Sequence, residues 1–425
     1  MFHKIFKEIR NAIWPDSRQE RCFLLAAFCC NFCISADYAI VRPASNSIFL
    51  SFFPSTILPY IWLSGLPLNF LLVALYNRYL PKLGCWKIFL CLISLIMVGN
   101  FVGGVFLIDS PWLSVSHFIW KEIYVLLLFQ TLWSLIHMTI STERAKAVYG
   151  IMFGIGGMAS MLGSFVPGFC AHLTGSEGLL FFSLPMMILL AISYRKAIFF
   201  SQPLQAHGLF HKGGGETASL SVGIKLITRS RILPYILLIV LFMQITATLL
   251  DYQFNAFLQE IYPIKNSRTE FLGRMGSVVS FSSTFMQFVG GFILMRFIGL
   301  RGTHFFIPIV LACNAFGSLI WPGLRMLAFS FASIKVFDFS LFGITKEMLY
   351  LRLSPEEKFQ AKALIDVFAY RGAKALAAMV ILGLQVVSFT QLHFLSWVCL
   401  GFFLCWSLAL FSLFRREATK KLEFG

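Results

Sequence analysis

The sequence predicts an all-α membrane protein with twelve transmembrane helices in two six-helix halves. Three observations lead there. The chain of 425 residues is 58% hydrophobic and only 13% charged, with a mean hydropathy of +0.78, where soluble domains carry about 25% charged residues. Its apolar residues gather into runs long enough to cross a bilayer. Its basic residues lie between those runs, mostly on every second loop. Forty-eight Phe and nine Trp cannot be covered by so few polar groups, which excludes a soluble enzyme, a disordered tail and a disulfide-stapled secreted module.

A hydrocarbon core of about 30 Å takes about 20 apolar helical residues. Twelve segments qualify: 22–41, 56–76, 86–108, 118–140, 149–172, 178–194, 233–254, 275–297, 304–321, 326–345, 361–385 and 392–414. The fifth is Gly-rich and the eleventh carries charges. With the N-terminus inside, 26 of the 35 Lys and Arg fall in inner segments. Five fall in outer segments (Lys121, Lys265, Arg268, Arg274 and Arg325), while Arg42, Lys335, Arg371 and Lys374 lie within or at the edge of spans. Cytoplasmic loops collect Lys and Arg, and a missed span would invert every later loop. The split therefore supports twelve spans with both termini cytoplasmic.

The net charge of +16 is then topology rather than a nucleic-acid footprint, and no nucleic-acid partner is expected. The first apolar run follows a polar amphipathic start and is too long for a signal core, so no cleavable signal is expected. The ten Cys lie almost all within spans. Cys30 and Cys33 form a CxxC without a second pair or a His cluster, and read as small packing residues. Neither metal nor cofactor is expected.

The longest polar stretch, about 195–231, contains Gly213-Gly214-Gly215 and several basic residues. It reads as a flexible linker, giving a first six-helix half over 1–200, a cytoplasmic linker over 201–231 and a second half over 232–425. The halves echo each other. Arg78-Tyr-Leu-x-x-x-Gly84 recurs as Arg296-Phe-Ile-x-x-x-Gly302, an offset of 218, and Ala145-Lys146-Ala147-Val148 as Ala361-Lys362-Ala363-Leu364, an offset of 216. Paired six-span halves are the architecture of major-facilitator-like transporters, whose substrate site lies near the midplane.

No Walker A, GxSxG or HExxH sequence is present, so no enzyme is expected. The glycines at 154, 156, 157, 163 and 168 lie in an apolar run with no preceding strand and read as helix packing. The informative residues are ionisable groups inside spans, costly in lipid and functional by default. The first span carries Asp37, Tyr38 and Arg42, with Tyr38 and Arg42 four apart on one face; Pro43 predicts a kink or stop. Glu143-Arg144-Ala-Lys146 closes the fourth, and the seventh holds Asp251-Tyr252-Gln253-Phe254. The tenth carries Lys335 and Asp338, then Thr345-Lys346-Glu347. In the eleventh, Asp366, Tyr370 and Lys374 stand at steps of four, with Arg371 three residues before Lys374. A basic stripe on a water-filled cavity suits an anionic substrate. Mutual neutralisation, Lys335 with Asp338, Lys362 with Asp366 and Arg42 with Asp37, is the competing reading.

These residues resemble the ATP/ADP translocases, nucleotide transporters of plastids and intracellular bacteria related to the major facilitators. Thr345-Lys-Glu-Met-Leu-Tyr350, Lys362-Ala-Leu-Ile-Asp366-Val and Lys374 are similar to the family's TKEMAY segment, its KAAIDV and a basic residue eight beyond the Asp. Trp14-Pro15 leading to Tyr38-Ala-Ile-Val-Arg42 is a second match. Glu143-Arg-Ala-Lys146-Ala-Val-Tyr149, similar to the family's EAKRFY, is a third. Two departures stand out. Ser45 and Asn46 replace the Lys-Asp of the family's first span, a lysine associated with nucleotide phosphates, and Ala369-Tyr370-Arg371-Gly372-Ala373 replaces a proline–glycine stretch.

The resemblance implies a monomeric transporter of nucleotides or related phosphorylated anions, working by alternating access in the lipid bilayer. Arg42, Arg371 and Lys374 would hold phosphate, with Tyr38 and Tyr370 stacking on a base. Asp37, Glu143, Asp338, Lys346 and Asp366 would serve gating or ion coupling. Two alternatives stay open: a proton-coupled carrier of a non-nucleotide metabolite, and a non-transporting membrane protein on a decayed transporter fold.

Overall fold

A backbone in lipid has no partner but itself, and the chain answers with helices; no strand occurs among the described residues. The computed structural model describes residues 17–107, 109–140, 142–206, 232–350, 369–387 and 392–423, with Ile227, Ser230 and Ile365. In order these form α1 (Arg18–Phe52), α2 (Leu58–Phe106), α3 (Pro111–Thr139), α4 (Thr142–Gly178), α5 (Ser183–Ala206), α6 (Leu233–Ile261) and α7 (Lys265–Phe285). There follow α8 (Gly291–Phe297), α9 (Gly299–Ile320), α10 (Leu324–Phe337), α11 (Gly343–Tyr350), α12 (Tyr370–Val386) and α13 (Leu392–Glu423). Two π-helical turns, Met286–Gly290 and Asp338–Phe342, join α7 to α8 and α10 to α11.

Ten helical stretches among the described residues are long and apolar enough to cross a membrane. One of them, Val148–Gln202, covers both the fifth and the sixth expected spans, which part at the 3-10 turn Leu179–Phe182. The eleventh expected span falls partly outside the described residues; what is described of it is α12, only 17 residues long. Of the kink or stop expected at Pro43, the stop does not occur: α1 runs on to Phe52 with Pro43 inside it. Proline removes one backbone donor, but α1 is buried along most of its length from Phe23 to Leu50. It packs mainly on α4, α5 and α3, and that packing outweighs one missing bond.

The described residues group into two compact units. The first draws on Met1–Phe53, Pro67–Gly214 and Tyr262–Thr284; the second on Pro54–Leu66, Gly215–Ile261 and Phe285–Gly425. Each unit thus takes one short segment from the other expected half. The core of the first gathers Phe23, Cys30, Cys33, Phe89, Leu128, Met152 and Tyr194 from α1 through α5. In the second, α6 packs on α13, α12 and α10, and α9 on α13.

The internal repeat survives as backbone breaks and contacts. Gly84 breaks α2 with φ 75°, and Gly299 opens α9 with φ 69°, a conformation only glycine adopts freely. These two glycines stand at an offset of 215. Gly302, the partner that the sequence match selects, lies inside α9 instead. In the first unit the Ser183 hydroxyl of α5 donates to Asp37 of α1. In the second, Gln253 of α6 donates to the Ser396 hydroxyl of α13 at 2.9 Å. Asp37 and Gln253 stand at an offset of 216, the spacing of the Ala-Lys-Ala match.

Candidate functional site

Each unit carries its own polar cluster. In the first, one face of α1 presents Tyr38 and Arg42, and the Arg42 guanidinium carbon lies 5.8 Å from the centre of the Tyr38 ring. The Tyr38 hydroxyl donates to Glu122 Oε1 of α3 at 3.2 Å. Asp37 is 0% exposed and does not turn toward Arg42. Five helical steps put the two about 140° apart, so Asp37 accepts from the Tyr124 hydroxyl at 2.9 Å and from Ser183. The Asn100 amide donates to Ser183 at 2.7 Å. Its oxygen then takes the proton of His117 Nε2 at 3.0 Å, while Nδ1 lies 3.2 Å from the Ser45 hydroxyl. This order places the proton of a neutral His117 on Nε2 and leaves Nδ1 to accept from Ser45.

In the second unit, Asp338 opens a π-helical turn, and such turns are frequent at functional sites. It accepts from Gln244 Nε2 of α6 at 2.9 Å, with Lys335 and Lys346 in electrostatic reach. Lys346 is buried, donates to the Tyr370 hydroxyl at 3.4 Å and lies 5.0 Å from its ring centre. One turn along α12, the Lys374 ammonium lies 5.4 Å from the centre of the Trp62 ring. Arg371, between Tyr370 and Lys374 in sequence, is half-buried. Lys335, Lys346 and Lys374 stand here against Asp338, and the Tyr370 and Trp62 faces lie beside two of them. Cations over aromatic rings are stabilised by the ring quadrupole without losing their charge. Such a set suits an anion with an aromatic moiety.

The structure thus brings Asp338, Lys346 and Tyr370 together in one unit, and Asp37, Tyr38 and Arg42 onto two faces of one helix in the other. Glu143 lies in α4 but its side chain is outside the described residues, and Asp366 lies outside them entirely. Sequence reasoning singles out none of Trp62, Gln244, Glu122 and His117, and takes Lys121 only as an outer-segment charge. Glu122 has a signal, since it precedes Asp338 by an offset of 216, the repeat spacing. No group of three His, Cys, Asp or Glu able to hold a metal occurs among the described residues.

Two helical bundles that echo each other at one offset along the chain are an architecture of the major-facilitator type. Two solved structures share that fold. The nucleoside transporter NupG superposes with a TM-score of 0.62 at 13% identity, over 94% of this chain and 99% of that chain. A bacterial homologue of the iron transporter ferroportin, in an inward-facing state, superposes with a TM-score of 0.62 at 14% identity, over 93% and 98%. The model of the TLC ATP/ADP transporter family matches residues 102–416, and the chain belongs to that family. Its relatives include ADP,ATP carrier protein 1 of Chlamydia pneumoniae, 23% identical over 90% of this chain and 88% of the relative. ADP,ATP carrier protein 3 of Rickettsia prowazekii is 22% identical over 88% and 89%. The chain is therefore an integral multi-pass membrane protein and a transporter, not an enzyme.

Proposed function

We propose that this chain exchanges nucleotides of the ATP/ADP type, or closely related phosphorylated anions, across a bacterial inner membrane by alternating access, as a monomer with both termini in the cytoplasm. The observation that carries the reading is the basic and aromatic cluster of the second unit, Lys346, Tyr370, Arg371, Lys374 and Trp62, in a member of an ATP/ADP transporter family. Lys374 and Arg371 hold phosphate charge, and Arg42 does so from α1. Tyr370 and Tyr38 offer faces on which a base can stack. Asp338 and Lys346, coupled through electrostatics, and Asp37 and Glu143 serve gating or ion coupling, with Asp366, outside the described residues, as a further acid.

Uptake of labelled ATP, ADP, GTP and UTP into proteoliposomes, with and without nucleotide inside, tests the reading. Uptake accelerated by internal nucleotide, and cut at least tenfold in Lys374→Ala, is the expected result. An active, folded preparation that moves none of the four sinks it. A second reading, proton-coupled carriage of another metabolite, is favoured by one observation: the hydrogen-bonded chain from Asp37 to His117 joins two titratable groups. Flux that collapses with the pH gradient and ignores internal nucleotide would select it.

A further inference from the structure

Helix α7 carries three cations near its start, and two have carboxylate partners. Lys265 pairs with Glu177, and Arg274 pairs with Glu270, which also takes His172 at 2.9 Å. Arg268, between them, has no carboxylate partner among the described residues, although it is 1% exposed. Its Nη2 donates to the backbone carbonyl of Ser47 at 3.0 Å. Its Nε, and the hydroxyl of Ser47 itself, are buried without a hydrogen-bond partner. On the preceding residue of α1, the Asn46 side-chain oxygen takes the ammonium of Lys121. Lys121 is 0% exposed and lies 3.9 Å from the centre of the Phe118 ring.

Two buried cations therefore reach consecutive residues of α1, one through a side-chain amide and one through a carbonyl. A guanidinium offers five N–H donors; at Arg268 one of them meets the Ser47 carbonyl, and the Nε donor meets nothing. A buried guanidinium held by a neutral oxygen is a costly arrangement in a membrane, and ionisable groups retained there are functional by default. Were Arg268 only a strut between α7 and α1, a neutral donor would make the same bond to the Ser47 carbonyl at a smaller desolvation cost. The unused Nε donor of Arg268, the unpartnered hydroxyl of Ser47 and the Lys121 ammonium held at the preceding residue of α1 are the kinds of donor that a phosphoryl group takes: a planar fork, a neutral O–H and a point charge.

We propose that Arg268, with Lys121 and the Ser47 hydroxyl, is a phosphate-binding locus in the first unit. It receives the phosphate tail of a nucleoside di- or triphosphate when the transport cycle moves α7 away from α1. The proposal rests on the nucleotide reading above, and names a contact that no span-based sorting of charges picks out. The Lys265–Glu177 and Arg274–Glu270 pairs flank Arg268 along α7.

The test is transport kinetics of the full chain in proteoliposomes for ATP, ADP and AMP, comparing wild type with Arg268→Gln and Ser47→Asp. A lost charge-assisted contact corresponds to about ten- to hundredfold in affinity. KM for ATP should rise by that factor in Arg268→Gln, KM for AMP should rise much less, and kcat should stay within about twofold. Ser47→Asp supplies the missing carboxylate, so it should remain folded and raise KM for ATP in the same way. A mere strut would behave otherwise, with a lowered kcat, KM unchanged and no dependence on the number of phosphates; that pattern overturns the proposal. If Arg268→Gln fails to fold, Ser47→Asp decides alone: an unchanged KM for ATP rejects the locus. Wild type that moves no nucleotide defeats the broader reading. Wild type that moves ATP, beside variants of normal KM, defeats only this locus.

Discussion

The polar residues of the first unit do two kinds of work at the scale of single side chains. Asp37 is held by two hydroxyls and sealed from solvent, whereas Tyr38 and Arg42 stay half-buried on the next face. Removing the Asp37 carboxylate leaves Tyr124 and Ser183 without that acceptor. Two lost hydrogen bonds cost about 1–3 kcal/mol together. Asp37→Ala should therefore lower the thermal unfolding midpoint in detergent, and Asp37→Asn, which keeps one acceptor, should lower it less. Equal midpoints in all three proteins would show the network to be idle. The Tyr38–Arg42 pair was legible in the sequence because both lie four apart on one helix. The Asp37 partners were not, because Ser183 is far along the chain and nothing local marks a hydroxyl as the far end of such a bond. Arg268 was hidden for a different reason: sorting charges by loop assigns a helix-end arginine to topology before its burial is known.

Helices α4 and α7 meet at the scale of elements through small residues. A Cβ built at Gly273 would collide with the backbone of Pro167 and Gly168, and the Ser277 hydroxyl reaches the Met161 carbonyl at 3.4 Å. Inserting a methyl group into contacts this close costs about 1–3 kcal/mol. Gly273→Ala should therefore part the two helices locally. A cysteine at Ser164, buried opposite Gly276, in an otherwise cysteine-free chain reads this out. Its labelling by a small water-soluble maleimide should rise several-fold in the Gly273→Ala background. Unchanged labelling would mean that the helices accommodate the methyl group. The Gly-rich composition of the fifth span made its packing role legible, but not its partner. By contrast, the stop that Pro43 could have made does not occur, because the neighbours that hold both flanks of α1 are not visible in the sequence.

The whole molecule sorts its charge along the chain, 26 of 35 basic residues falling in the segments expected inside, where anionic lipid attracts them. A fluorescent protein that matures only in the cytosol, fused after Gly425, should be bright in cells. A dark fusion of a full-length, membrane-inserted chain would reverse the proposed orientation. The spans were legible because hydropathy is summed over a whole membrane thickness of helix and tolerates local error. The grouping of helices into units was not, because it depends on which faces meet. That grouping bears on synthesis. The segment Tyr262–Thr284 belongs to the first unit, yet it leaves the ribosome only after α5, α6 and all that lies between them. At translation rates of about 5–20 residues per second, the nascent first unit waits several seconds for the helix that covers Gly157 and Gly168 of α4. Its assembly therefore cannot finish helix by helix in the order of translation. For that interval those glycines have only lipid or the insertion machinery to shield them, and a ribosome that stalls within α6 would strand a bundle that lacks its last wall.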